Sequence, residues 1–271
     1  MSDAWFSNKL APGGDTEDGC HPAEAEALKK YLRREIAAEE AARAISQPIV
    51  HSNNPGEDLP RLWALLIDAL IELPSDKIES LITLAWAIEN LPDLDMAGIE
   101  ESKRPAHGKL WRGLPGFGHL YADIHQSIDW REKALKADAT ERSRLREYHV
   151  RKAEIEARLA VARLASIPID WGYETVADAL ESRNAMLDFQ VPAAAEWLEI
   201  AGSRFMEGAT KGEGSWALDR PRDLWEGGKI MTVQRYSFWR DRLEEVQTQS
   251  KVTLQAAKKA LEFMERELKT T

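Results

Sequence analysis

His119, Asp123 and His125 are the densest group of side chains in this chain that can move protons, and His119 and Asp123, four residues apart, share one helical face. An imidazole beside an apolar pocket serves as a general base or acid, which makes these three the candidate catalytic residues. The competing reading is a set of polar side chains hydrogen-bonded inside a helix pack. Zinc or non-haem iron needs at least a third ligand, and no His-Glu-x-x-His pattern supplies one. No metal site and no cofactor are therefore assigned.

Other reactive patterns are incomplete. Asp93 and Asp95, and Asp178 with Glu181, lack the facing carboxylate cluster that a diphosphate held by Mg²⁺ requires, which argues against a terpene cyclase. Cys20 and His21 are adjacent, and adjacent side chains on a helix do not face each other, so they do not form a nucleophile with its base. The glycine-rich runs 113–118 and 212–228 lack the lysine and the preceding strand of a phosphate loop, so they read as loop hinges.

Ten tryptophans run through the chain. An indole ring is costly to leave wet, so this number implies a strongly aromatic core or the wall of an apolar pocket. Trp63, Trp86 and Trp197 sit at helical positions among aliphatic neighbours and read as core. Trp111, Trp130, Trp171, Trp216 and Trp225 fall in loops or at helix starts, where a core alone explains them less well; the two readings are caps on a cavity and apolar plugs beneath large loops. With Phe117, Tyr121 and Trp197 they are the candidate substrate-binding residues, and the expected ligand is an apolar small molecule.

The elements that would position these residues are helical throughout. Leu28, Leu32 and Ile36 recur every four residues after Pro22, a second short helix runs to Ile45 with Pro48 ending it, and Asp58 before Pro60 reads as an N-cap. A helix carrying Ile78, Leu81, Ala85 and Trp86 stops at Pro92. Residues 93–115 then form the longest irregular stretch, and a loop of this length is more often functional or disordered than neutral. Residues 131–166 hold the longest helical pattern, breaking near Asp138. Further helices are expected from Asp170, from about Pro192, over 229–246 and from Ser250, with a second long loop over 212–228. No alternating run with hairpin turn signals competes. The expected fold is all-α, an irregular bundle of about eight to ten helices in one domain over 22–271, with residues 1–21 as an arm that Trp5 and Phe6 pin. A solenoid-like stack is the alternative, although no internal repeat supports it.

Composition narrows the setting. The 271 residues are 44% apolar and 30% charged with a net charge of −10, which suits a folded protein and opposes nucleic acid and anionic membrane surfaces as partners. One cysteine forms no intramolecular disulfide, and the first residues lack the basic start and apolar run of a secretory signal, so a cytoplasmic location is expected.

Several short patterns occur together in order: Glu39–Ile45 before Pro48 and Ile49, Leu62-Trp63 with Leu66–Ala69, Glu72-Leu73-Pro74, and Leu91-Pro92. Leu114-Pro115 with Phe117-Gly118, Ala194-Ala195 with Trp197-Leu198 and Ala201-Gly202, and Phe238-Trp239 with Arg242 continue the series. In this order the chain resembles, over most of residues 22–246, a large fungal family of helical proteins described only as a domain of unknown function. The resemblance implies an all-α intracellular protein and carries over no catalytic residues. It also implies relatives encoded among genes for natural-product assembly.

Two functions follow as expectations. The first is a cofactor-independent enzyme that folds an apolar molecule inside an aromatic pocket, a cyclase or cycloaddition catalyst in its sharpest form, working by shape, orientation and a few hydrogen-bond donors. The second is a non-catalytic helical module that docks another protein.

Overall fold

A computed structural model describes residues 3–16, 19–105 and 108–270. Among these residues the chain is all-α, with thirteen α-helices and no strand. The number exceeds the eight to ten read from apolar periodicity, because short helices set by a single cap or turn carry too few residues to show a period. No described helix is long and apolar enough to cross a membrane. The helices fall into two compact units, Met1–Ser127 with Leu164–Ser166, and Ile128–Arg163 with Ile167–Thr271.

Unit 1 contains α1 (Asp3–Leu10), α2 (Pro22–Leu32), α3 (Ala38–Val50), α4 (Pro55–Glu72), α5 (Ile78–Glu89) and α6 (Phe117–Gln126). α3 packs on α2, α4 and α5, and α4 packs on α6. Leu59, Leu62, Trp63, Leu66 and Leu70 recur at spacings of three and four on α4, and all are buried, so one stripe of this helix supplies much of the core. The helix begins at Pro55, one turn before Asp58, and Pro48 lies within the last turn of α3. α1 is fastened to α4: Phe6 is buried, the Trp5 indole donates to Glu72 Oε2 at 2.7 Å, and Lys9 Nζ bridges Asp68 and Glu72 at 2.7 and 2.9 Å. At the start of α2, Glu24 is fully buried and its Oε2 accepts from the His21 backbone N–H at 2.9 Å, while Oε1 has no donor among the described residues.

Unit 2 contains α7 (Trp130–Lys136), α8 (Ala139–Ala162), α9 (Asp170–Leu180), α10 (Leu187–Lys211), α11 (Trp216–Asp219), α12 (Val233–Val246) and α13 (Lys251–Thr270). Asp138 divides α7 from α8 because its carboxylate accepts from Glu141 N at 2.8 Å, a cap that starts a new helix. α10 is the central element and packs on α8, α9, α12 and α13. Its approach to α9 requires Gly172, where a Cβ would stand 2.4 Å from the Trp197 ring, and its approach to α13 requires Gly202, 2.5 Å from the Phe263 ring. Tyr173 and Phe205 stack at 4.8 Å, and Phe205 meets Trp197 and Trp239 at 6.2 Å each. Burying side chains of this size stabilises by roughly 1.5–3 kcal/mol each, and well-oriented aromatic pairs add about 0.5–1.5 kcal/mol.

The loop before α12 is built on one ion pair. Arg235, 1% exposed, donates through Nε and Nη2 to both oxygens of Glu181, 0% exposed, at 2.6 and 2.7 Å, and the Trp239 indole donates to the same carboxylate at 2.7 Å. Arg235 Nη1 also reaches the carbonyls of Gly228 and Ile230 at 3.2 and 3.4 Å. Glu181, which the sequence offered only as half of a failed metal cluster, is the anchor of this loop.

Candidate functional site

Two concavities stand out, and residues of unit 1 alone line each of them. One, of about 470 Å³, lies where α2 turns into α3 and is lined by Arg34 and Lys77 together with Glu35, Glu40 and Asp76, so its cations are matched by carboxylates. The other, of about 310 Å³, lies where the loop 108–116 enters α6. The second is the candidate site, although smaller, because strained backbone and charge of one sign converge on it.

The loop is held from below by aromatic side chains. Trp63, fully buried in α4, donates its indole N–H to the Pro115 carbonyl at 2.7 Å and meets Phe117 edge-on at 5.8 Å. Phe117 stacks on Tyr121 at 6.4 Å, and Trp111, Leu110 and Leu114 are buried. Above them, Glu89 accepts from Gly113 N at 3.1 Å, and Leu114 N and Phe117 N close successive turns on the Trp111 and Leu114 carbonyls at 2.9 and 3.0 Å. These contacts leave a glycine- and proline-walled mouth edged by the side chains of Lys109, Arg112 and His119.

Five described residues other than glycine have φ in the left-handed region, and three of them, Leu114, Ala165 and Ser166 at 46°, 55° and 56°, line this one pocket. Gly113 and Gly116, also in the lining, have φ of 79° and 85°. A side chain in this region costs about 1–2 kcal/mol, so the fold holds an unfavourable backbone here that its packing must offset. Such residues concentrate at ligand clamps and active sites. Ser166 is exposed and makes no hydrogen bond among the described residues, so Ser166→Gly is expected to stabilise the chain by about 1 kcal/mol in urea unfolding. A loss of stability would show that Ser166 is not strained.

The sequence-derived candidates divide between the units. In unit 1, His119 is exposed on the pocket rim, Asp123 is exposed one turn further along α6, and His125 is half-buried. Of the three, the pocket includes only His119. Trp111, Phe117 and Tyr121 are buried beneath the loop and support it, without lining the pocket. In unit 2, Trp130 stacks on Phe189 at 5.3 Å and lies 4.3 Å from the His149 ring, Trp171 is buried, and Trp197 is fully buried against Phe205. Trp216 is exposed beneath the Arg220 guanidinium at 5.0 Å, and Trp225 donates to the Gly228 carbonyl at 2.9 Å with Arg235 over its ring. Neither concavity is lined by a tryptophan. Trp86, read as core, is 56% exposed.

Lys109, Arg112, Ala165 and Ser166 escaped the sequence reading. The first two carry a signal in hindsight, since they flank Gly108 and Gly113 within the stretch flagged as too long to be neutral. The last two carry none, because nothing in an Ala-Ser pair announces left-handed backbone. The model of a family described as "Protein of unknown function (DUF3632)" matches residues 63–243, a span that contains every residue of this pocket. No curated protein and no solved structure matches the chain.

Proposed function

The chain belongs to the DUF3632 family, and from the pocket within the family region we propose that it binds a small molecule at the mouth formed by the loop 108–116 and the start of α6. The concentration of left-handed backbone at that pocket carries this reading. Strain of this kind persists only where the surroundings over-determine it, and a ligand that uses the resulting shape is its physical rationale. Preorganisation by Trp63 and Glu89 supports it too, since a loop already held in its binding shape loses little entropy on association.

The small-molecule part of the sequence expectation is kept and its location changes. A cyclisation catalyst calls for an enclosed hollow walled by indole rings, whereas this mouth is walled by glycine, proline and basic side chains. Ligand binding, with His119 as the imidazole at the rim, is the function that this geometry supports best.

A fragment screen on the full chain, followed by backbone amide shifts, tests the proposal. Bound fragments are expected to shift the amides of residues 109–119. His119→Trp, which adds bulk at an exposed helical position without straining the backbone, is expected to abolish those shifts. A screen whose hits all map elsewhere, or hits at the loop that survive His119→Trp unchanged, would overturn it.

A further inference from the structure

We infer that the pocket at the start of α6 recognises an oxyanion, a phosphate monoester or a carboxylate carried by a compact organic group; this rests on the pocket being a ligand site. Lys109, Arg112 and His119 edge one concavity, and among the described residues no carboxylate lines it. Among the described residues none of the three side chains has an ion pair or a hydrogen bond. Several cations elsewhere in unit 1 have carboxylate partners, as Lys9 has Asp68 and Glu72, Lys29 has Asp3, and Lys77 has Asp76.

A chain of net charge −10 that leaves two permanent cations and an imidazole unmatched around one small mouth has reversed its charge locally. That reversal attracts and orients an anion in a setting where the remaining surface repels it. Glu89 is hydrogen-bonded to the loop at Gly113 and Asp123 lies one turn beyond His119, yet neither lines the pocket.

Size and donors agree with the charge. A concavity of about 310 Å³ is at the small end for ligand pockets, so the bound molecule is compact. The backbone N–H groups of Gly118 and His119, in the first turn of α6, have no acceptor among the described residues and no acidic side chain stands in that turn. They add donors to a site whose charge comes from the side chains. An arginine fork and a lysine point charge with N–H donors suit a phosphate or carboxylate oxygen set, and a neutral apolar molecule would leave all of them unused.

The test compares phenyl phosphate, benzoate and benzyl alcohol, which share a ring and differ in head group, titrated into the full chain at about 0.15 M salt to screen non-specific attraction. Amide shifts of residues 109–119 report binding. At least one anion is expected to bind saturably and at least tenfold more tightly than benzyl alcohol, and the tighter of the two identifies phosphate or carboxylate as the preferred group. Lys109→Gln with Arg112→Gln, both exposed positions, is expected to weaken the anion at least tenfold and to leave benzyl alcohol unchanged. Benzyl alcohol binding at these amides as tightly as the anions would overturn the oxyanion assignment and leave the ligand pocket standing. Anion binding that the double variant does not weaken would overturn it equally, and silence of the loop amides to all three probes would overturn both readings.

Discussion

Arg235→Ala is expected to lower the stability of the chain by about 3–5 kcal/mol, the cost of leaving a buried charge without its partner. The Glu181 carboxylate is fully buried and receives three hydrogen bonds, two from Arg235 and one from Trp239. Removing the guanidinium leaves a desolvated carboxylate with one indole donor. It also frees the carbonyls of Gly228 and Ile230 and takes the cation from the face of Trp225. Against a typical total of about 5–15 kcal/mol, this loss unfolds a large fraction of molecules at moderate urea. Arg235→Lys is not expected to rescue, because an ammonium cannot reach both carboxylate oxygens in the planar fork that the 2.6 and 2.7 Å contacts describe. Glu181→Gln with Arg235→Met removes both charges, and its cost is expected to fall well below the sum of the single variants. Urea unfolding followed by far-ultraviolet circular dichroism measures all of these. Arg235→Ala within about 1 kcal/mol of the unmodified chain, or strict additivity in the double variant, would show that the pair is not the anchor described above.

Glu24→Gln is expected to stabilise the chain at pH 8 and to leave it almost unchanged at pH 4. Burial pushes the Glu24 carboxyl up from its ordinary value of 4.5 to about 7, the Asp58 carboxylate adds to the rise, and the His21 N–H and the Arg61 charge oppose it. The folded state therefore binds this proton more tightly than the unfolded chain does. Stability from the neutral form is fully present below pH 4.5, is lost as the pH rises from there towards 7, and changes no further above it. At about 1.4 kcal/mol per pH unit, the loss is about 3 kcal/mol. Glutamine keeps an acceptor for the His21 N–H and cannot ionise, so the stability difference between the two chains should open across that window and then level off. A difference that stays flat from pH 4.5 to 7 would mean that the fold does not raise the Glu24 carboxyl above its ordinary value.

The helical class was legible because each helix rests on local regularities. α4 shows this in its apolar stripe from Leu59 to Leu70, α8 in the break at Asp138, and α6 in its start after a glycine-rich run. Short helices such as α11 were not, since four residues hold no period. The tryptophans were legible as a class but not as individuals: Trp86 has the neighbours of a core residue and stands exposed, whereas loop-borne Trp111 is buried.

By itself the sequence determined that this protein is helical, acidic and punctuated by two long loops, because backbone hydrogen bonds, caps and charge sums depend on residues a few positions apart. Only the tertiary structure decided that Glu181 meets Arg235 across 54 residues, that Trp63 holds Pro115 across 52, and that Ala165 and Ser166 in left-handed backbone join Lys109, Arg112 and His119 around one mouth. Those outcomes depend on which distant groups are desolvated together. Burial couples them through packing and charge at separations that no local pattern encodes.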